Sequence, residues 1–141
     1  MASLEAKLQT ATGIFTKLQN DYARAVENRQ RLDAQKTENE GVKKELSSLS
    51  PSEKVFKLVG PVMLKQEQAE AKSNVEKRLE WIGGEIKRVE AQLKDFETKL
   101  EAKKLEIVHL QTQFQQQQQS ASQGASGGSA EAGGAPVVQA A

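Results

Sequence analysis

Hydrophobic residues recur along the second half of the chain at alternating intervals of four and three residues. The run starts at Val75 and continues to Phe114, and one polar residue, Lys103, interrupts it. Most positions between them are Glu, Lys, Gln or Arg, so the apolar stripe is narrow. A 4-3 spacing sustained over more than five heptads is typical of a coiled coil. It predicts a helix over about residues 67–118 with a partner along one edge.

The first part of the chain has a similar but less regular pattern. Its seam begins at Leu4, and its phase slips by one residue before Val42. Ser3 is a suitable N-cap and Pro51 prevents a helix from continuing, so we predict a helix over about residues 4–49. Two helices of similar length with a short connection favour an antiparallel pair. Polar residues occupy three seam positions, namely Arg29, Lys36 and Asn39.

The connection between the helices is rich in large apolar residues. About residues 54–65 form two β-prone runs around a Gly-Pro turn signal, which predicts a β-hairpin. An isolated two-stranded hairpin is marginal in water, and two thin helices cannot cover it. We therefore expect other chains to bury the hairpin; the alternative is that it folds back onto its own coil. The predicted assembly residues are Val55, Phe56, Leu58, Val59, Gly60, Pro61, Val62, Met63 and Leu64.

The end of the chain has no such periodicity. Residues 119–141 are mostly Ala, Gly, Ser and Gln, with a single charge at Glu131. Such a segment cannot bury enough apolar surface to offset its ordering entropy, so we predict a disordered tail. The expected fold is mainly α, with one domain over residues 1–118. In it, a long antiparallel two-helix coiled coil is joined by a single β-hairpin.

Composition excludes several classes of function. Twenty Lys and Arg balance nineteen Asp and Glu, which argues against a nucleic-acid binder driven by bulk charge. Cysteine is absent and histidine occurs once, so we expect no thiol nucleophile and no metal site. No apolar run approaches the ~20 residues that span a bilayer. Because open helices offer no cleft for a catalytic pair, we expect neither an enzyme nor a cofactor.

The hairpin and the helix after it match a known family. The stretch from Val55 to Glu67 reads VFKLVGPVMLKQE, and KRL from Lys77 to Leu79 and EIKR from Glu85 to Arg88 follow it. These residues closely resemble the β-type subunits of prefoldin, and the resemblance covers about residues 4–118. One departure is the pair Gly83-Gly84, where better helix formers would be expected.

The resemblance implies an architecture and a function. Prefoldin is a hexamer of two α-type and four β-type subunits, whose hairpins form a double β-barrel body. A β-type subunit contributes a single hairpin between its two long helices. The free ends of the coils hold non-native proteins, mainly actin and tubulin, and pass them to the cytosolic chaperonin without nucleotide. The chain is thus expected to be an ATP-independent chaperone subunit in the cytoplasm, with a nuclear pool also allowed.

Client contacts are expected where the two helix ends at the chain termini meet. Apolar groups there are the least constrained, since helix ends fray, although the same residues could simply pack the seam. A structural tether or spacer without client binding is the alternative function, and a nucleic-acid-binding helical protein is a weaker one. For Trp81, off the seam near the hairpin, we expect packing against the hairpin body or a neighbouring subunit. The predicted client-binding residues are Leu4, Leu8, Phe15, Ile107, Leu110 and Phe114.

Overall fold

The computed structural model describes residues 3–133, which form two helices and a two-stranded sheet. This confirms the predicted fold of two long helices joined by a single antiparallel hairpin. The predicted ends of the first helix and of the hairpin agree with the structure to within one residue. In chain order the elements are α1 (Leu4–Ser48), β1 (Val55–Val59), β2 (Val62–Gln66) and α2 (Gln68–Gly133).

Local signals account for where α1 begins and ends. The backbone N–H of Ala6 donates a hydrogen bond to the Oγ of Ser3 at 3.1 Å, so Ser3 is the N-cap of α1 as predicted. α1 ends at Ser48, shortly before Pro51. Proline lacks the N–H that another helical turn would need, which explains why the chain leaves the helix here.

α2 continues beyond the predicted helix end near residue 118 and reaches Gly133. No proline occurs between Gln68 and Gly133 to stop α2, but residues 120–133 are rich in Gly and Ser, which are weak helix formers, so helix propensity alone does not account for this length. The sequence pattern therefore marked the end of the seam rather than the end of the helix. The disordered tail over residues 119–141 stays a prediction, and residues 134–141 lie outside the described part of the chain.

Internal contacts divide the chain into two compact units. The terminal unit comprises the described residues up to Gln19 together with those from Thr98 onward, and the hairpin unit comprises Asn20–Glu97. Each unit contains a segment of α1 and a segment of α2, and the hairpin unit also contains both strands.

Cross-helix polar contacts fix an antiparallel register in the hairpin unit. Successive contacts lie seven and then fourteen residues further along α1. Their partners lie seven and then fourteen residues earlier in α2. A constant exchange of this kind defines two helices that run in opposite directions. The three pairs are Tyr22 Oη to Glu97 Oε1 at 3.1 Å, Arg29 Nη2 to Glu90 Oε1 at 2.6 Å, and Lys43 Nζ to Glu76 Oε1 at 3.9 Å.

The core of the hairpin unit is the predicted seam. Every seam position of α2 within this unit is buried or half-buried, and Val89 has no exposed surface. The narrow stripe therefore faces α1, as the 4-3 spacing predicted. The buried cluster consists of Leu32, Ile82, Ile86 and Val89, with Leu93 packed against it.

Lys36 is exposed although the α1 pattern placed it on the seam. In the antiparallel register, the residue opposite Lys36 is Gly83, which has no side chain to cover it. A lysine can hold its charged head in water from a position beside the seam, so the coil tolerates it there. The apolar seam of α1 is interrupted at this point.

The hairpin turns tightly and is held at its base. Val59 pairs with Val62 across a two-residue turn, in which Gly60 has a φ of 58°. A left-handed residue at the start of such a turn favours glycine. The side-chain Nε2 of Gln68 donates to the carbonyl oxygens of Ser50 at 2.8 Å and Glu53 at 2.6 Å. Gln68 therefore joins the start of α2 to the segment that enters the hairpin.

Candidate functional site

The hairpin exposes most of its large apolar side chains. Six of them have between 47% and 70% of their surface accessible, whereas Val55 is half-buried. Within this chain, α1 and α2 therefore leave the hairpin largely uncovered, unlike in the fold-back alternative. The six exposed residues are Phe56, Leu58, Val59, Val62, Met63 and Leu64.

Apolar residues occupy both faces of the hairpin. Cross-strand partners share a face, so Leu58 lies beside Met63 on one face and Val59 beside Val62 on the other. A sheet that covers a single core alternates apolar and polar residues, with its polar face in water. Two apolar faces instead suit a sheet that is covered on both sides, as in the wall of a closed barrel.

A groove of about 260 Å³ separates the edge of β1 from the two helices of the hairpin unit. Leu46 of α1 and Val75 of α2 both line it. Phe56 and Leu58 line the opposite side, and Arg78 lies at the α2 side. The exposed hairpin surface is thus continuous with an apolar groove at its base.

The predicted client-binding residues lie on the seam of the terminal unit. Leu110 is buried, with 8% of its surface exposed, and the other five are half-buried. Three neighbouring apolar residues that the seam pattern did not select are more exposed. They are Ile14 at 42%, Leu105 at 67% and Val108 at 51%.

These exposed residues line two grooves of the terminal unit. One groove, of about 440 Å³, brings Phe15 together with Leu100, Leu105 and Val108. The other, of about 310 Å³, contains Ile14 and the predicted residue Leu110. Large apolar residues outside the 4-3 register were the sequence signal that could have identified this exposed surface.

Polar residues on the seam hold the two helices together. Arg29 contacts Asp33 of α1 at 3.0 Å and Glu90 of α2 at 2.6 Å. The hydrogen bond to Glu90 and the charge of Asp33 raise the pKa of the Arg29 guanidinium. Since these groups are solvated and pair with one another, they act as a structural bridge.

Two further kinds of functional feature, a metal site and a membrane-spanning helix, are absent from the described residues. Residues 3–133 contain no group of three or more His, Cys, Asp or Glu side chains that could hold a metal ion. Neither α1 nor the described length of α2 is long and apolar enough to cross a membrane. The candidate functional features are thus two exposed apolar surfaces, one in each unit.

The fold and a match over most of the chain define the class of protein. The sequence profile of the family described as Prefoldin subunit matches residues 9–120. The chain therefore belongs to the prefoldin subunit family and is a chaperone subunit of the prefoldin complex. Members of this family are non-enzymatic chaperone components, so the chain is not an enzyme.

Individual relatives narrow the comparison to one type of subunit. The chain is 46% identical over 124 residues to prefoldin subunit 6 of Canis lupus familiaris, covering 88% of this chain and 95% of that protein. It is 45% identical over 115 residues to prefoldin subunit 6 of Homo sapiens, covering 82% and 89%. The crystal structure of the prefoldin beta subunit from Thermococcus strain KS-1 has the same fold. The two structures superpose with a TM-score of 0.68 at 22% sequence identity, and the match covers 76% of this chain and 94% of that one.

Proposed function

We propose that this chain acts as an ATP-independent holdase subunit in a hexamer of two α-type and four β-type subunits. The hairpin is its assembly element and the terminal unit is its client-binding element. The clients are unfolded proteins, with actin and tubulin as the main candidates, and they are delivered to the cytosolic chaperonin in the cytoplasm. The observation that carries this proposal is the exposure of two apolar surfaces, one in each unit.

Assembly through the hairpin is supported by its exposure on both faces. Covering a large apolar side chain contributes about 1.5–3 kcal/mol when it passes from fully exposed to buried. The six exposed hairpin residues retain about half or more of their surface, so each offers roughly 1 kcal/mol to an interface. Such a sum is large enough to offset part of the entropy lost on association.

Client binding by the terminal unit is supported by the groove that Phe15, Leu105 and Val108 line. An unfolded protein exposes apolar segments, and this groove presents apolar side chains that such a segment can cover. One groove provides only a small area, so a single chain binds weakly. Several subunits that bind one client together raise the effective concentration, and weak individual contacts permit release without nucleotide.

Paired substitutions in the terminal groove test the client-binding role. Leu105→Ser combined with Val108→Ser removes the two most exposed large hydrophobic side chains among the described residues of this unit. In hexamers reconstituted with the partner subunits, the affinity for chemically unfolded actin is expected to fall roughly tenfold. The measurement is suppression of actin aggregation by light scattering at increasing hexamer concentration.

Ala102→Ser is the matched control, because it changes an exposed residue of the same helix and unit without removing a large apolar group. Hexamer mass is checked for every variant. Client capture that is unchanged in the double variant, with the hexamer intact, contradicts the client-binding role. That result favours the alternative function of a structural tether or spacer. The observation that supports this alternative is that most of the predicted client-binding residues are half-buried on the seam.

A further inference from the structure

Trp81 is a large aromatic side chain that is exposed to solvent. It has 62% of its surface exposed, although it belongs to the hairpin unit and directly precedes the buried Ile82. It is also the single tryptophan of the chain. Neither the hairpin nor α1 covers it. Tryptophan is enriched where protein surfaces meet, since its burial contributes more than that of most side chains.

Two cations without partners lie beside Trp81. Lys77 and Arg78 precede it by four and three residues, a spacing that places all three on one face of α2. Neither forms a side-chain hydrogen bond or an ion pair with any residue in 3–133. Glu85 on the same face is already paired with Arg88 at 2.6 Å. Glu80 beside the indole likewise forms no side-chain hydrogen bond or ion pair with any residue in that range, so these three unpaired charges leave a net charge of about +1 next to Trp81.

Gly84 leaves the helix bare on the other side of the indole. It lies one turn beyond Trp81, and a Cβ built at this position meets no atom within 4 Å. Glycine within a helix costs about 1 kcal/mol relative to alanine. No packing inside this chain requires glycine here, and the bare backbone leaves room for a helix from outside to approach closely.

The surface around Trp81 is continuous with the hairpin surface. Arg78, one turn before Trp81, lines the groove whose other side is formed by Phe56 and Leu58. Any chain that covers the hairpin therefore lies close to Trp81. Since the free charges of Lys77 and Arg78 are positive, the segment that satisfies them is acidic.

We propose that Lys77, Arg78, Trp81 and Gly84 form a docking patch for an acidic helix surface of a neighbouring subunit in the complex. The indole packs against the apolar part of that helix, the two cations pair with its carboxylates, and Gly84 admits its backbone. This proposal depends on one part of the proposed function, namely that the hairpin assembles with other subunits. A nucleic acid would also suit an indole flanked by cations, but the net charge of +1 does not favour it.

Fluorine NMR of the full chain tests the docking patch directly. Incorporating 5-fluorotryptophan into this chain alone gives a single resonance, because the chain has one tryptophan. A soluble gadolinium chelate is expected to broaden that resonance in the isolated chain and to leave it sharp in the reconstituted hexamer. A resonance that is broadened equally in the intact hexamer overturns the docking patch but not the assembly role. If no hexamer forms, both fail.

Variants of the patch separate docking from general stability. Trp81→Ala and Gly84→Gln are each expected to raise the dissociation constant of this chain from its partners about tenfold. Gly84→Gln improves helix propensity, so weaker assembly by this variant is not explained by a less stable helix. Leu105→Ala is the control, since Leu105 is an exposed apolar residue of α2 in the other unit.

Charge reversal identifies the chemistry of the partner. Lys77→Glu combined with Arg78→Glu is expected to weaken assembly about tenfold at low salt and to have a smaller effect at high salt. Binding of a single-stranded oligonucleotide is followed by fluorescence of Trp81 in the isolated chain. Quenching by the oligonucleotide, together with unchanged assembly of the charge-reversed variant, overturns the acidic-helix partner.

Discussion

Tyr22 shows how a polar residue is accommodated on an apolar seam. Its ring is half-buried between the helices, and its hydroxyl donates to Glu97 Oε1 at 3.1 Å. The hydrogen bond to Glu97 and the negative charge of that carboxylate raise the pKa of Tyr22 above its ordinary value of 10.0. This contact joins α1 to α2 without requiring a buried charge.

The titration of Tyr22 follows from this contact. Because its pKa is raised on folding, the stabilisation is complete below the ordinary pKa and is lost as the pH rises through the folded value. Tyr22 is the single tyrosine, so ultraviolet absorbance reports its ionisation alone. We expect a higher midpoint in the folded chain than in denaturant, and a lower midpoint in folded Glu97→Gln than in the folded unmodified chain. Equal midpoints in the folded and denatured chain would show that the hydrogen bond is absent.

Gly60 is the residue whose backbone conformation most restricts substitution. At a φ of 58°, Gly60→Ala is expected to destabilise the turn by about 1 kcal/mol, because a Cβ is strained in the left-handed region. Faster amide hydrogen exchange in β1 and β2 is the measurement. Gly41→Ala is the control, since Gly41 lies in α1 with open space around it and its replacement stabilises the helix by about 1 kcal/mol. Equal exchange in Gly60→Ala and the unmodified chain would argue against this turn.

The stability of α2 depends on which of its faces a residue occupies. Val89 is fully buried in the seam, and Val89→Ala is expected to lower the free energy of unfolding by about 2 kcal/mol through lost burial and a residual cavity. Val108→Ala makes the same chemical change at an exposed position and is expected to cost less than about 0.5 kcal/mol. Denaturant unfolding followed by circular dichroism measures both. Similar losses for the two variants would contradict the assigned seam.

The 4-3 period of α2 determined its buried face because a coiled-coil seam depends on spacing alone. In α1, the same spacing placed Lys36 on the seam, but Lys36 is exposed. The pattern of α1 alone could not show this, because it does not reveal that Gly83 of α2 lies opposite. Periodicity also selects the side that is covered. It therefore predicted half-buried residues such as Phe15 for client contact and missed the exposed Leu105 and Val108, which lie off the seam.

The helix ends were predictable only where a local signal exists. Ser3 and Pro51 marked the limits of α1 through their own chemistry. The continuation of α2 to Gly133 has no such marker, because the apolar seam ends near Phe114 and the residues after 119 are rich in Gly and Ser, which are weak helix formers. The hairpin was predicted from its Gly-Pro turn and its β-prone composition, both of which are local.

Among the residues that the structure describes, nine hydrophobic residues are buried and eleven large ones are exposed. The buried cluster in the hairpin unit has four members, whereas six large hairpin side chains remain accessible. A monomer of this kind is marginal, since small cores give little net stability. The sequence indicated that partners are needed, because seven large apolar residues crowd into the short hairpin. It could not identify them, since their complementary surfaces are encoded in other chains.

We propose that the hairpin is buried only when other subunits surround it. Hydrogen–deuterium exchange over residues 55–66, read by mass spectrometry, tests this most directly. We expect rapid exchange in the isolated chain and strong protection once the α-type and other β-type subunits are added, with the mass of the intact complex measured in parallel. Equal protection of these residues in an isolated monomer, or rapid exchange in the assembled complex, would show that the hairpin does not depend on other subunits for its burial.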